Sequence, residues 1–390
     1  MIIVYVVYVE RTVKNKSLLF MKIETSVIWN NRSGENTSWF HPRCCRLEGG
    51  RLFMSLQSIG GGDFYGPVHE SIFDGVKWSD PVEIPGLGWE KSVEDISEGV
   101  CDVVPYDHAP TGTVLAIGHN VYYRDGALFD SLGDWEERKG PVVCRFPVWS
   151  IRNREGKWIK SRKKLFVPGM EECSMYSCGS SQWFFRGADE VYIPLTFGFW
   201  NRTDRMVCSA KFRYDGENLE FTEKGNILEL PVKRGLLEPS LLDCGDRVLL
   251  TIRAEDGCGY NAVSTDGLHW GEMNPWQFDT GEVLKMSTTQ QHFLKCGGKI
   301  FLVYTRDTGY NSHVMRFRTP LFMAEITPEL ELVKESETVV FPMIDEGKHA
   351  PGMGNFQCYA LSEKEAVITV GEERGYDKFR GNTLMARITF

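Results

Sequence analysis

Positive charge is scarce in this chain of 390 residues: 44 Lys and Arg face 53 Asp and Glu, leaving a formal net charge of −9. No stripe of Lys and Arg gathers the cations that a phosphate backbone needs, so a nucleic-acid partner is not expected. Long apolar runs are also wanting. Met1 to Val9 is apolar but falls short of the roughly 20 residues that span a bilayer. It has no basic segment before it, and Glu10-Arg11 and Lys14 to Lys16 follow where a small-residue cleavage site would stand, so it does not read as a signal peptide and no membrane partner is expected. The 11 cysteines include no Cys-x-x-Cys pair, no histidine is placed to complete a zinc site, and no acidic run reads as a calcium loop. Neither a metal nor a cofactor is expected. An odd, scattered set of cysteines reads as small buried strand residues of a reducing compartment, which implies a cytoplasmic location. Finally, no segment offers a long helical face.

What remains is β-structure. Hydrophobic residues make up 42% and aromatics 12% of the chain, with 39 Gly and 11 Trp, which suits a large all-β protein with many turns. One turn recurs. Ser264-Thr-Asp266-Gly267-Leu-His-Trp270 and Ser71-Ile-Phe-Asp74-Gly75-Val-Lys-Trp78 each place Asp-Gly between a strand and a Trp. The Asp side chain bonds backbone amides, Gly accepts φ > 0, and the Trp packs the turn on the next strand. A strand ending in such a turn or a charged hairpin repeats at Val68 to Ser71, Arg145 to Arg152, Val207 to Gly216, Tyr260 to Ser264, Pro320 to Ile326 and Thr383 to Thr389. Each is preceded by a strand pair, such as Glu238 to Leu242 with Arg247 to Arg253. Repeats of this kind build one closed unit from many small sheets, so residues 21–390 are read as a single six-bladed β-propeller.

The last unit, from Met353 to Phe390, has room for three strands, and Ile23 to Trp29 is the fourth that closes the ring and removes an exposed edge. Residues 1–20 are then a loose extension or a misassigned start. The polar stretch from Asp125 to Lys139 and the acidic loop from Trp89 to Ser97 read as surface insertions.

In a propeller the inner strand ends and neighbouring loops converge over the axis, so distant residues share one pocket. Candidates there are His41 and Arg43 in blade one, Asp63 after Gly60-Gly61-Gly62, Asp107, His108 and His119 in blade two, and Gln182 in blade three. Blade four adds Glu238, Arg253, Glu255 and Asp256, blade five Gln290, Gln291, His292, Arg306, Arg316 and Arg318, and blade six Asn355 and Gln357. Each has a plainer reading. Asp63 braces a Gly-rich loop, Glu238 and Arg253 form a structural ion pair, the histidines are satisfied core residues, and one of Arg316 and Arg318 faces solvent.

With its Asp-Gly turns and its Glu238 to Arg253 unit, the chain after Met21 resembles the six-bladed sialidases, in which this turn is called the Asp box or BNR repeat. That resemblance implies an Asp acid/base on a blade-one loop, here Asp63. It implies a Glu and an Arg across a strand pair, here Glu238 and Arg253, and a later arginine, here Arg316 or Arg318, gripping a substrate carboxylate. Two positions depart from it. Phe40-His41-Pro42-Arg43 replaces the family's first-blade Arg-x-Pro, so Arg43 substitutes only if its side chain points inward. Gly354-Asn355-Phe356-Gln357 occupies the place of the Tyr nucleophile, with Tyr65, Tyr260 and Tyr359 as candidates for a relocated phenol. The expectation is therefore a sialidase-like glycoside hydrolase, not a standard sialidase, that cleaves a terminal, acidic sugar from an oligosaccharide. Asp63, Glu238 and His41 are its catalytic candidates, and the other axial residues bind substrate. A histidine-dependent polysaccharide lyase and a non-catalytic glycan-binding propeller are the alternatives.

Overall fold

The computed structural model describes residues 5–9, 21–60, 62–129 and 142–390, with the backbone alone for 5–9 and 62–64. Six antiparallel sheets follow one another around an axis as the blades of a propeller. Blade one holds Arg43–Arg46, Leu52–Gly60, Gly62–Phe73 and Val82–Glu83, from the axis outward. Blade two is larger, with Ser97–His108, Thr113–Arg124, Pro147–Arg152 and Trp158–Lys164, plus the short Glu90–Lys91 paired to its first strand. Blades three, four and five begin at Cys173–Ser177, Leu237–Asp243 and His292–Cys296.

Blade six consists of Phe356–Ser362, Glu365–Gly371 and Asn382–Thr389, completed by Met21–Asn30 from the other end of the chain. Ile23 faces Ile388 and Thr25 faces Ala386 in this antiparallel closure. The expected fourth strand is therefore present, somewhat longer than the sequence suggested. Within the stretch read as a loose extension, Tyr5–Val9 forms a further strand outside it, in register from Tyr5 with Thr25 to Val9 with Met21. Most of the insertion expected from Asp125 to Lys139 lies outside the described residues.

The turn between the third and fourth strands recurs as its chemistry requires. The Oδ1 of Asp74 accepts from the amides of Val76 and Lys77 at 2.8 and 2.9 Å, and Asp266 does the same for Leu268 and His269 at 2.8 Å each. Gly75 and Gly267 take φ of 103° and 79°. Trp270 is buried and donates its indole N–H to Ser209 of blade three at 2.9 Å, so the turn also joins neighbouring blades. Blades adhere through apolar faces, as where Leu115, Ile117 and Ile151 of blade two meet Ile193, Leu195 and Phe197 of blade three. Each such side chain contributes about 1.5–3 kcal/mol by burial, and alternation along every strand supplies one to each face.

Candidate active site at the propeller axis

The starts of the inner strands meet at one end of the axis, where a buried polar cluster replaces the apolar packing found between blades. At its centre is Arg43, only 1% exposed. Its Nη1 donates to the carbonyls of Phe356 and Asn355 at 2.7 and 3.4 Å, and its Nη2 to Ser180 Oγ and Asp102 Oδ1 at 3.1 and 3.3 Å. One guanidinium thus ties blades one, two, three and six together. Asp102 Oδ1 also accepts from Ser180 Oγ at 2.8 Å and lies 2.6 Å from His41 Nδ1. Although burial opposes its ionisation, His41 and Arg43 hold the Asp102 carboxyl far below the ordinary carboxylate range.

The backbone is strained at this end. Asp102, Ser180 and Glu238 have φ of 53°, 60° and 43°, left-handed values that cost most non-glycine residues energy. Asp102 and Glu238 each sit at a register shift of their inner strands, between Cys101 and Val104 and between Leu237 and Ser240. A bulge turns a side chain that would face a neighbouring blade toward the axis. The same device in blades two and four therefore places two carboxylates at the centre of the ring.

Glu238 is the more accessible, with 30% of its side chain exposed. Its Oε1 accepts from Arg253 Nη1 at 2.5 Å, Arg253 Nε donates to Thr288 Oγ1 at 2.6 Å, and the Glu238 amide donates to Thr196 Oγ1 at 3.0 Å. Beside this pair, Gln290 Nε2 donates to the Phe356 carbonyl at 2.7 Å and Gln357 Oε1 accepts from the Cys44 amide at 2.5 Å. Asn355 Nδ2, Gln357 Nε2 and Gln290 Oε1 are buried without hydrogen-bond partners among the described residues. Arg318, 3% exposed, donates Nη1 to Glu373 at 2.9 Å while its Nε has no such partner. Gly354 gives its stem room, since a Cβ there would stand 2.5 Å from Arg318 Cδ.

Two histidines border the cluster as neutral rings. His119 Nε2 lies 3.2 Å from Cys101 Sγ, and burial, aided by Arg145, lowers its pKa to about 4. His292, fully buried with Nδ1 3.0 Å from Ser240 Oγ, is lowered to about 3 by burial and by Arg43. Among the described residues, Cys101, Asp102 and His119 are the one group with metal-ligating atoms within 4.8 Å of one another.

The axis thus brings together His41, Arg43, His119, Glu238, Arg253, His292, Arg318 and Asn355. Other candidates are spent elsewhere. His108 lies six residues beyond Asp102 on one strand, about 20 Å away at the usual rise. Its two nitrogens meet Thr111 Oγ1 and the Ala188 carbonyl, both at 2.8 Å. The plain structural reading fits it, because alternation alone does not tell which end of a strand faces the pocket. Glu255 is locked by the backbone and guanidinium of Arg234 and held down to about 2. Asp256 accepts from Tyr260 at 2.5 Å, and Tyr359 donates to Asp107 at 2.7 Å, which occupies both phenols as structural partners. Arg306 closes in two bonds on Glu337. Gln182 brackets Phe293 through its carbonyl and amide, and Gln291 accepts from Thr251 at 2.8 Å. Arg316 is half-buried, with its carbonyl 3.4 Å from Thr289 Oγ1. Arg43 does point inward, but its guanidinium is consumed by the protein itself. The side chain of Asp63 lies outside the described residues.

Sequence reasoning missed Asp102, Ser180, Thr288 and Glu373. Asp102 had a signal: it is the lone charge in Val100-Cys-Asp-Val-Val-Pro105, an otherwise apolar strand. A carboxylate there must be partnered.

The sequence matches no protein-family model and no curated protein. Its fold does match solved structures. The Hadza microbial sialidase Hz136 is 10% identical with a TM-score of 0.59, over 90% of this chain and 65% of that one. The NanB sialidase from Streptococcus pneumoniae is 12% identical with a TM-score of 0.59, over 93% and 70%. A Trypanosoma rangeli sialidase in complex with sialic acid is 12% identical with a TM-score of 0.55, over 97% and 56%. The chain thus spans 56% to 70% of the length of these proteins. At such identities the likeness is one of fold, and the fold is that of a sialidase-like propeller.

Proposed function

We propose that the chain is a glycoside hydrolase that cleaves a terminal acidic sugar at the axial cluster. The observation that carries this reading is Glu238, a solvent-reaching carboxylate that a bulge and a left-handed backbone turn to the axis, clamped by Arg253. Strain of that kind persists where the surroundings enforce it, and active sites are where it gathers. Arg253 and Arg318 would receive the carboxylate of the sugar, each keeping guanidinium N–H groups outside its bonds to the protein. Glycosidic cleavage needs a group to protonate the leaving oxygen and another on the opposite side of the ring. In this reading Asp63 protonates the leaving oxygen, and Glu238 activates the attacking water or stabilises the developing charge.

One specific observation favours a second reading. His41 paired at 2.6 Å with Asp102 resembles a base with its orienting carboxylate, as a uronate lyase would need to remove a ring proton. A panel of aryl glycosides, including sialoside and glucuronide, and of uronate oligosaccharides separates the readings. Hydrolysis by the wild type and its loss in Glu238→Gln support the first, with sialosides poor substrates because Asn355 stands where a Tyr nucleophile would be. An ultraviolet-absorbing unsaturated uronate supports the second. An oligosaccharide that binds and stays intact reduces the function to glycan binding.

A further inference from the structure

Beside the axis, between blades one and two, stands an aromatic group that the cluster above does not use. Trp89 lies on Tyr123 with ring centroids 4.3 Å apart and planes at 25°, and Tyr65 meets Trp89 edge-on at 5.1 Å. Tyr123 is buried, whereas Tyr65 and Trp89 are 37% and 36% exposed. The seat is built for the indole. A Cβ on Gly99 would stand 2.9 Å from Trp89 Cδ1 and 3.3 Å from Tyr123, so the bare glycine lets the ring lie against the inner strand. Gly99 precedes Asp102 by three residues, about 10 Å along a strand, and Tyr123 is close enough to Arg145 and Asp102 to feel their charges. The aromatic rings therefore run from solvent toward the axial cluster.

We propose that Tyr65 and Trp89, backed by Tyr123, are a binding platform for a neutral sugar, the one on the leaving side of the bond. This rests on the glycan-cleaving reading. Rigid aromatic faces accept the C–H face of a pyranose while its hydroxyls stay in water. Charge decides the kind of sugar. The loop carrying Trp89 bears Glu90, Lys91, Glu94 and Asp95, and its acids are largely balanced, Glu90 by Arg162 at 2.7 Å and Asp95 by Arg124 at 3.0 Å. A carboxylated sugar finds its unlike charge at Arg253 and Arg318, which orients an acidic terminal residue inward and leaves the platform to a neutral one.

Lactose and glucuronic acid serve as probes, with binding followed by calorimetry and by saturation-transfer NMR. The wild type should bind lactose at millimolar concentration, and Trp89→Ala should weaken it about tenfold or more while Trp89→Phe keeps most of it. Gly99→Ala should weaken lactose as well, by unseating the indole. Glucuronate binding should be unchanged in Trp89→Ala and fall in Arg253→Ala. The proposal is overturned if the wild type does not bind lactose, if Trp89→Ala binds it as well as the wild type, or if Trp89→Ala loses glucuronate instead. If no glycoside in the panel is cleaved but lactose binding still depends on Trp89, the platform stands and hydrolysis falls.

Discussion

Replacing Asp102 with Asn keeps the shape of the side chain and removes its charge, which leaves the Arg43 guanidinium buried without its counter-ion. Removing one partner of a buried ion pair typically costs about 3–5 kcal/mol. Asp102 has three partners, His41 at 2.6 Å, Ser180 at 2.8 Å and Arg43 at 3.3 Å, so the loss should fall within that range. With an unfolding entropy of about 2.1 cal/mol/K per residue, the 390 residues give about 0.8 kcal/mol/K. The melting temperature of Asp102→Asn at pH 7 should then drop by about 4–6 °C in scanning calorimetry. Arg43→Met should be similarly harmful, because it leaves the carboxylate exposed to the same burial. The double variant removes both charges, so its loss should be smaller than the sum of the two, and that shortfall measures the coupling. A melting temperature for Asp102→Asn within about 1 °C of the wild type, or strict additivity in the double variant, would refute the assignment of this pair as the keystone of the ring.

Acid should destabilise the protein early: His119 and His292 are held neutral with pKa lowered to about 4 and 3, while the unfolded imidazole titrates near 6.5. The unfolded state thus binds more protons between those values, and stability falls as pH drops from about 6.5 toward 4. His292→Gln should flatten that fall in pH-dependent thermal melts. Truncation to Met21 should leave a soluble protein with a cooperative melt, whereas truncation through Asn30 strips the edge of Asn382–Thr389 and should aggregate, which light scattering will register. Once a substrate is found, Asp63→Asn should lower kcat by about 10²–10⁴ with binding retained, and Arg253→Ala should act mainly on KM. Wild-type turnover in Asp63→Asn would remove it from the mechanism.

The third strands of the blades were legible because they combine period-2 alternation with an Asp-Gly or charged turn, both local signals. The closure was legible for a different reason: the final unit had one strand too few, and an unplaced strand stood at the other end of the chain. The axial site was legible only in part. Glu238 and Arg253 stood out through their spacing across a strand pair, but the bulges that aim Glu238 and Asp102 inward have no signature in residue type. Strict alternation would turn Asp102 away from the axis, and its neighbours give it the look of a core strand. His108 was grouped with His119 because both share a blade, although antiparallel pairing sets Thr113 and not His119 opposite His108.

The closing strand also has a consequence for synthesis. Met21–Asn30 pairs with Asn382–Thr389, so the first strand of the ring to leave the ribosome bonds with the strand of the ring that leaves it last. At about 5–20 residues per second the wait lasts on the order of 20–70 s. During that time five blades can assemble while the sixth has no complete sheet. A chain interrupted shortly before Asn382 keeps five blades yet cannot shut the ring, so the seam separates closed rings from unclosed ones by an open edge that a chaperone or protease can grip.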